Sequence, residues 1–222
     1  MIPKRALLVS GTFFLALLLY IDRVCISTAK DPITAALNLT DKQFGWIMSA
    51  FALGYALFQT PSGVLADKLG PRGVLAGIVA IWSLFTGLTA AAWNYGSMLV
   101  IRFLFGAGEA GAYPAMARAF YSWMPMKERG LATGINFAGG RLGAMFAMPL
   151  IATLITTLGW KQTFAVLMVV GFVWSVAWYR WFRGGSGIFL RNIHPSAPRS
   201  ATTFLPTASN RASRPPSCPS RR

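Results

Sequence analysis

Residues 43–66, 73–101 and 162–179 of this chain contain no Asp, Glu, Lys or Arg. Their apolar residues come in blocks, without the rhythm of an amphipathic helix. Runs of about 20 such residues match a hydrocarbon core roughly 30 Å thick, crossed by a helix rising about 1.5 Å per residue. In lipid the backbone N–H and C=O groups find no water, so they must bond within the segment, which selects helices. Strands of a membrane barrel would be near ten residues long with alternating polarity, and no such alternation is present. Composition points the same way. Only 12% of the residues are charged and 55% are hydrophobic, against about 25% charged in a typical soluble domain. The expected fold class is an all-α membrane protein, embedded in a lipid bilayer and not an enzyme.

Six spans are expected, at about 6–26, 43–65, 74–94, 97–121, 131–155 and 162–182. Lys4-Arg5 before the first run suggests a signal peptide, but that run ends in Asp22-Arg23 and has no small-residue cleavage site. It is therefore read as a span. Lys4 and Arg5, Lys68 and Arg72, Lys127 and Arg129, and Arg180 and Arg183 fall at alternate span ends. The opposite connections carry Lys30, Lys42 and Lys161, offset by Asp31 and Asp41. The excess of basic residues puts both termini in the cytoplasm.

The chain changes character near Arg183. Seven of its 21 basic residues lie from Arg183 onward, and residues 184–222 contain no acid. A segment this rich in Ser, Pro and Arg buries too little apolar surface to fold. The expected organisation is a six-span unit over 1–183 and a disordered basic tail over 184–222, read as a frameshifted or truncated end. The tail lacks the aromatic interleaving of a nucleic-acid arm, so no nucleic-acid partner is expected. Cys25 and Cys218 would lie on opposite sides of the membrane and cannot pair, and His194 is the only histidine. Neither a metal site nor a cofactor is expected. Asn38-Leu39-Thr40 matches a glycosylation sequon and is taken as chance.

Among the charges inside the expected spans, five are taken to carry the chemistry: Asp22 and Arg23 in the first, Arg102 and Glu109 in the fourth, Arg141 in the fifth. Each would cost about 2.5–3.5 kcal/mol at the centre of a lone inserted helix. They are therefore expected to face each other or a polar cavity. Arg102 and Glu109, seven residues apart, share one helix face about 10 Å apart along the axis. Gly139 and Gly143, and Ala107 and Gly111, have the small-residue spacing that lets helices approach closely in lipid.

Gly63-Val-Leu-Ala-Asp67-Lys68-Leu-Gly70-Pro-Arg72 lies between the second and third spans. It resembles the signature loop of the major facilitator superfamily. Tyr20-Ile-Asp22-Arg23, Gly54-Tyr55-Ala-Leu-Phe-Gln59-Thr-Pro61 and Arg102-Phe-Leu-Phe-Gly106-Ala-Gly108-Glu109 resemble one branch, the anion:cation symporters. That branch includes bacterial permeases for hexuronate, glucarate and galactonate. Glu128-Arg129-Gly130 and Gly140-Arg141-Leu-Gly143 continue the likeness, which covers about residues 14–183.

The resemblance implies the N-terminal half of a twelve-span carrier, built as two inverted three-helix repeats and working with a second six-span half. It implies proton-coupled symport of an organic carboxylate such as a sugar acid across the cell inner membrane. Arg23 would grip the carboxylate, with Tyr55 and Gln59 bonding substrate hydroxyls. Asp22 and Glu109 would couple protons, with Arg102 balancing Glu109. Gly63, Asp67, Gly70 and Arg72 would form the cytoplasmic gate, where Asp67 would reach a helix of the second half. Relatives in this branch carry an Asn one position after Asn136, which leaves the role of Asn136 open. The alternatives are a truncated membrane protein that transports nothing, and an exporter of another small molecule. Asp22-Arg23 favours the anion carrier, because a guanidinium fork suits a carboxylate.

The alternation of basic connections generates a topology test. Reporter fusions after residues 70, 126 and 183 are all expected to read as cytoplasmic. A periplasmic signal at residue 70 would overturn the arrangement.

Overall fold

The computed structural model describes residues 4–69 and 71–182. Gly70, Cys218, His194 and the whole 184–222 tail lie outside the described residues. The described chain forms eight α-helices: α1 (Lys4–Thr28), α2 (Lys30–Leu37), α3 (Asp41–Leu69), α4 (Pro71–Ala90), α5 (Tyr95–Glu109), α6 (Ala112–Trp123), α7 (Met126–Leu158) and α8 (Trp160–Trp181). Five of the six expected spans fall inside α1, α3, α4, α7 and α8, give or take a few residues. The fourth is divided between α5 and α6. Four helices, α1, α4, α7 and α8, are long and apolar enough to cross a membrane by length and composition alone. The 29-residue α3 dilutes its apolar residues with Gln43, Tyr55 and Gln59, and α5 and α6 are each too short alone.

Two features differ from the sequence reading, and proline accounts for both. The stretch after the first span was expected to be a connection, yet it holds α2, set off from α1 at Ala29. The fourth span is interrupted at Ala110-Gly111. A proline has no N–H for the carbonyl four residues back, and its ring crowds that carbonyl. Pro32 stands four residues after Thr28, and Pro114 four after Ala110, so each break falls where the missing bond would be. At the second break the chain keeps its direction, since Ala110 and Gly111 both retain right-handed helical backbone angles. Pro61 and Pro149 lie inside α3 and α7, which continue through them.

The connection from α2 to α3 is closed by local chemistry. Asn38 takes a left-handed conformation at φ 51° and ends α2, a geometry that asparagine tolerates better than most residues. Thr40 then caps α3 reciprocally. Its N–H donates to Gln43 Oε1 at 2.9 Å, and the Gln43 N–H donates to Thr40 Oγ1 at 3.3 Å, which satisfies two otherwise free donors. Lys30 Nζ reaches Asp41 Oδ1 at 2.8 Å. That hydrogen bond and charge hold the exposed Asp41 carboxyl below its usual range.

The tightest helix pairs are α1 with α7, α3 with α5 and α4 with α8. Each pair meets at glycines. A Cβ on Gly54 would run into the carbonyl oxygen of Phe103, and one on Gly106 into that of Phe51. A Cβ on Gly139 would lie 2.7 Å from the Phe13 carbonyl oxygen, and one on Gly143 2.5 Å from that of Leu17. Gly171 leaves space for Ser83, and Gly87 for Met168. Counting α5 and α6 as one unit and setting α2 aside, these pairs join units one and five, two and four, and three and six. Exchanging the first three units with the last three leaves that pattern unchanged, as a fold of two three-helix repeats requires.

Side chains add a few fixed ties. Asn136 Nδ2 donates to the Thr12 carbonyl at 2.9 Å and lies 3.2 Å from Met116 Sδ, joining α7 to α1 and α6. Ser175 Oγ donates to the Ala76 carbonyl at 2.7 Å, joining α8 to α4. The outward surface is apolar over long stretches, with Phe14, Trp46, Leu57, Phe146 and Val173 among its exposed side chains.

The glycine contacts generate a stability test. Gly54→Val or Gly106→Val is expected to lower stability by at least about 2 kcal/mol, because the backbones must separate. Gly45→Ala and Gly134→Ala, where an added Cβ meets nothing within 4 Å, are expected to be neutral or slightly stabilising. Unfolding in detergent micelles reads the difference. Equal losses in both groups would refute the close-approach role.

Candidate functional site

Asp22 and Arg23 lie on adjacent faces late in α1, while Arg102 and Glu109 share one face of α5. Packing of α1, α3 and α5 brings these groups into one cluster. Arg23 Nε donates to Glu109 Oε1, and Nη2 of the same guanidinium lies against that oxygen as an ion pair. The Glu109 side chain is 1% exposed and that of Arg23 25% exposed. The pair therefore stands at the edge of a dry interior, with the arginine towards the open side.

Aromatic rings surround the cation. The Arg23 guanidinium carbon is 4.7 Å from the centre of the Tyr55 ring, 5.4 Å from Phe51 and 5.6 Å from Tyr20. Such faces attract a guanidinium while excluding water. Tyr55 thus lies in the cluster around Arg23.

Arg102 stands within electrostatic reach of Glu109 without a direct ion pair to it. Glu109 takes Arg23 as its direct partner, and none of the ion pairs among the described residues involves Arg102. Its guanidinium lies 4.4 Å from the centre of the Phe105 ring and 5.2 Å from Phe51. Seven residues of helix separate Arg102 from Glu109 on their own face, whereas Arg23 approaches from the next helix. Arg102 still lies within the electrostatic reach of Glu109 and Asp22. Asp22 is buried beside Trp82 of α4. Arg102 Nε, Glu109 Oε2 and Trp82 Nε1 are buried without a hydrogen-bond partner in the protein. Unpaired polar atoms are costly in a dry interior, and three of them stand together here.

Gln59 sits one turn beyond Tyr55, outside the Arg23 cage. It lines a cavity of about 310 Å³ with Tyr113, Thr133, Asn136 and Phe137. Tyr113 stacks on Phe137 with ring centres 5.5 Å apart, and its hydroxyl is also unpartnered. Gly140 links this cavity to the cage, since a Cβ there would lie 2.6 Å from the Tyr20 ring and 3.5 Å from the Tyr113 hydroxyl. Tyr20, Phe51, Trp82 and Tyr113 escaped the sequence reading. Tyr20 alone carried a signal, standing three residues before Arg23 and so on the same helix face.

The expected gate residues divide between two ties. Asp67 Oδ1 lies 3.5 Å from Arg118 Nε, joining α3 to α6 within this bundle. Arg72 donates to the Tyr179 carbonyl from Nε at 3.0 Å and Nη2 at 2.8 Å, joining α4 to α8. Gly63 faces Pro114, with ordinary contact at 3.6 Å for an added Cβ. Among the described residues, no three His, Cys, Asp or Glu side chains stand close enough together to hold a metal ion.

A family model described as Major Facilitator Superfamily matches residues 12–214. The chain belongs to this superfamily. Membership makes it a multi-pass membrane protein, and the match runs past Arg183, where the sequence reading ends its own resemblance. A probable sulfoacetate transporter of Cupriavidus necator is 38% identical over 182 residues, covering 82% of this chain and 42% of the relative. A hexuronate transporter of Bacillus subtilis is 33% identical over 171 residues, covering 77% and 40%. A probable galactarate/D-glucarate transporter of Escherichia coli is 35% identical over 185 residues, covering 81% and 42%. The chain spans about two fifths of the length of these relatives. Among solved structures, a bacterial homologue of the human lysosomal transporter Spinster, inward-facing and occupied, superposes with a TM-score of 0.75. It is 25% identical, over 83% of this chain and 45% of that one. This major facilitator fold also matches the POT family transporter PepTSo, at 14% identity and a TM-score of 0.66, over 78% of this chain and 37% of that one.

The buried pair generates a test of its own. Arg23→Ala leaves Glu109 without its cation and is expected to cost roughly 3–5 kcal/mol if the carboxylate stays charged. Adding Glu109→Gln is expected to recover more than half of that loss. A double-mutant cycle on unfolding in micelles measures the coupling, and strictly additive effects would show that the pair contributes nothing.

Proposed function

We propose that this chain forms a six-span half of a carrier that moves a small organic carboxylate together with a proton. The observation that carries the reading is the Arg23–Glu109 pair in its aromatic cage. Glu109 occupies a guanidinium fork shaped for two carboxylate oxygens. An incoming carboxylate competes for that fork. Once displaced, Glu109 is a buried carboxylate without a partner, a state that a proton relieves. Anion and proton therefore enter as a set, and leave as a set when Glu109 reclaims Arg23.

Asp22 acts as a second proton-accepting group, and the nearby charge of Arg102 limits how much negative charge the cluster holds. Tyr55 and Gln59 bond the hydroxyls of a sugar acid, one from the cage and the other from the adjoining cavity. The relatives support the substrate class, since those named above are transporters of sulfoacetate, hexuronate and galactarate or glucarate. With α5 and α6 sharing one crossing, the chain crosses the inner membrane of a bacterial cell six times. Both ends of the bundle therefore lie on one side, and the basic connections assign that side to the cytoplasm. The gate at Gly63, Asp67, Gly70 and Arg72 then lies on the cytoplasmic side. The bundle works against a second six-span half, with the site between the two.

Uptake tests this reading. The chain is joined to the second half of the Cupriavidus necator relative and assayed in liposomes with labelled carboxylates and an imposed pH gradient. Arg23→Ala is expected to abolish uptake, and Arg23→Lys to restore little of it, because a point charge does not replace the fork. Glu109→Gln and Asp22→Asn are each expected to stop accumulation driven by the gradient, while exchange survives in at least one. Uptake unchanged by Arg23→Ala, or accumulation by both neutralised variants, would refute these roles. The 222-residue chain alone is expected to show no saturable uptake.

A further inference from the structure

Arg141 is the one of the five candidate charges that the mechanism above leaves unused. It stands near the middle of α7, 15 residues from Met126 and 17 from Leu158. Within the expected span 131–155 it lies 10 and 14 residues from the two ends, about 15 and 21 Å of helix, too deep for its side chain to snorkel to either interface. It is exposed, and none of the ion pairs among the described residues includes it. An arginine held at this depth faces a polar space or a charged partner.

Its neighbours show which space. Gly140, the preceding residue, lies against Tyr20 and the Tyr113 hydroxyl. Tyr20 also faces the Arg23 guanidinium. Phe137, one turn earlier and about 40° away around the helix, stacks on Tyr113. Arg141 thus continues the flank of α7 that borders the Gln59–Tyr113 cavity. Its depth follows from the register of α7 on α1. Asn136 bonds Thr12, and Gly139 and Gly143 touch Phe13 and Leu17. Arg141 is therefore level with residues near Leu17, and Arg23 lies six residues further along, about 9 Å away along the axis.

Charge completes the argument. Arg23 and Arg102 stand against Asp22 and Glu109, and Arg141 on the flank of α7 adds one surplus positive charge. When one of the acids carries a proton the surplus becomes two, which a single carboxylate does not balance and a dianion does.

We propose that Arg141 is the second cationic contact of the site, and that the site takes a small dianion, with one acidic group on Arg23 and the other directed towards Arg141 across the cavity. This rests on the carboxylate reading given above and narrows it to a class: a short hydroxylated dicarboxylate, or an acid with a sulfonate in place of one carboxylate.

The test uses this chain joined to the second half of the Cupriavidus necator relative, in lipid nanodiscs, and two probes, D-glucarate and D-gluconate. They share a carbon skeleton, and the second carboxylate of the former is a hydroxymethyl group in the latter. Tryptophan fluorescence reads equilibrium binding. The chain is expected to bind glucarate at least about tenfold more tightly than gluconate, the size of effect of one charge-assisted contact. Arg141→Gln is expected to bring glucarate to the level of gluconate while leaving gluconate unchanged. No preference between the probes, or an equal loss for both in Arg141→Gln, overturns the dianion proposal and leaves the carboxylate reading standing. Binding of neither probe, or binding of both that survives Arg23→Gln, refutes the carboxylate reading and this proposal with it.

Discussion

Backbone meeting backbone at glycine is the contact on which the rest of this bundle depends. In lipid, one apolar side chain is as well solvated by acyl chains as by another helix, so burial alone supplies little attraction. What remains is dispersion over a closely fitted surface, and that requires helices to approach until only a hydrogen fits between them. Gly54 and Gly106 do this between α3 and α5, and Gly139 and Gly143 between α7 and α1. The approach of α3 to α5 sets Phe51 and Tyr55 against Gly106, three residues before Glu109. The seating of α1 against α7 fixes the rotation that turns Arg23 towards them.

The charged cluster then follows from competition for partners. Glu109 has two arginines within electrostatic reach. Arg102 is bound to the same rigid helix, two turns away, while Arg23 arrives from a different helix with its long side chain free to orient. The nearer, better-aligned fork holds the carboxylate, and Arg102 is left to aromatic faces. The result is a cluster whose charges are balanced only in part, with unpaired polar atoms on three of its members. A core selected for stability alone would have replaced them with well-packed apolar groups.

Much of this was legible in the sequence, for reasons that can be named. The helices follow from the thickness of a bilayer, so charge-free runs located five of the units within a few residues. The α2 helix and the break at Ala110-Gly111 were missed, although Pro32 and Pro114 carry the signal four residues downstream of each break. Among the candidate site residues, Asp22, Arg23, Tyr55 and Glu109 converge, because each side chain points the way its helix face suggests. Gln59 parts from Tyr55 because one turn along a helix is enough to leave a cage built around a single guanidinium. The partner of Glu109 depends on how helices distant in sequence rotate against each other, and spacing within α5 carries no information on that. Asp67 finds Arg118 within its own bundle for the same reason. The resemblance directed attention to a second half instead.

The reciprocal pairing of helices has a mechanical consequence. Every one of the three tight seams joins a member of the first three helices to a member of the last three, so all three seams lie on the boundary between those halves. Pulling the two units apart would mean opening all three seams together, at sites where the contacting atoms have no slack. The bundle is thus stiff against the very deformation that its internal duplication would suggest. Compliance is concentrated instead at the unbonded carbonyl of Ala110, where α6, with Tyr113 and Arg118 on it, meets α5. A load applied at the Asp67–Arg118 tie would bend the molecule there first, one residue from Glu109.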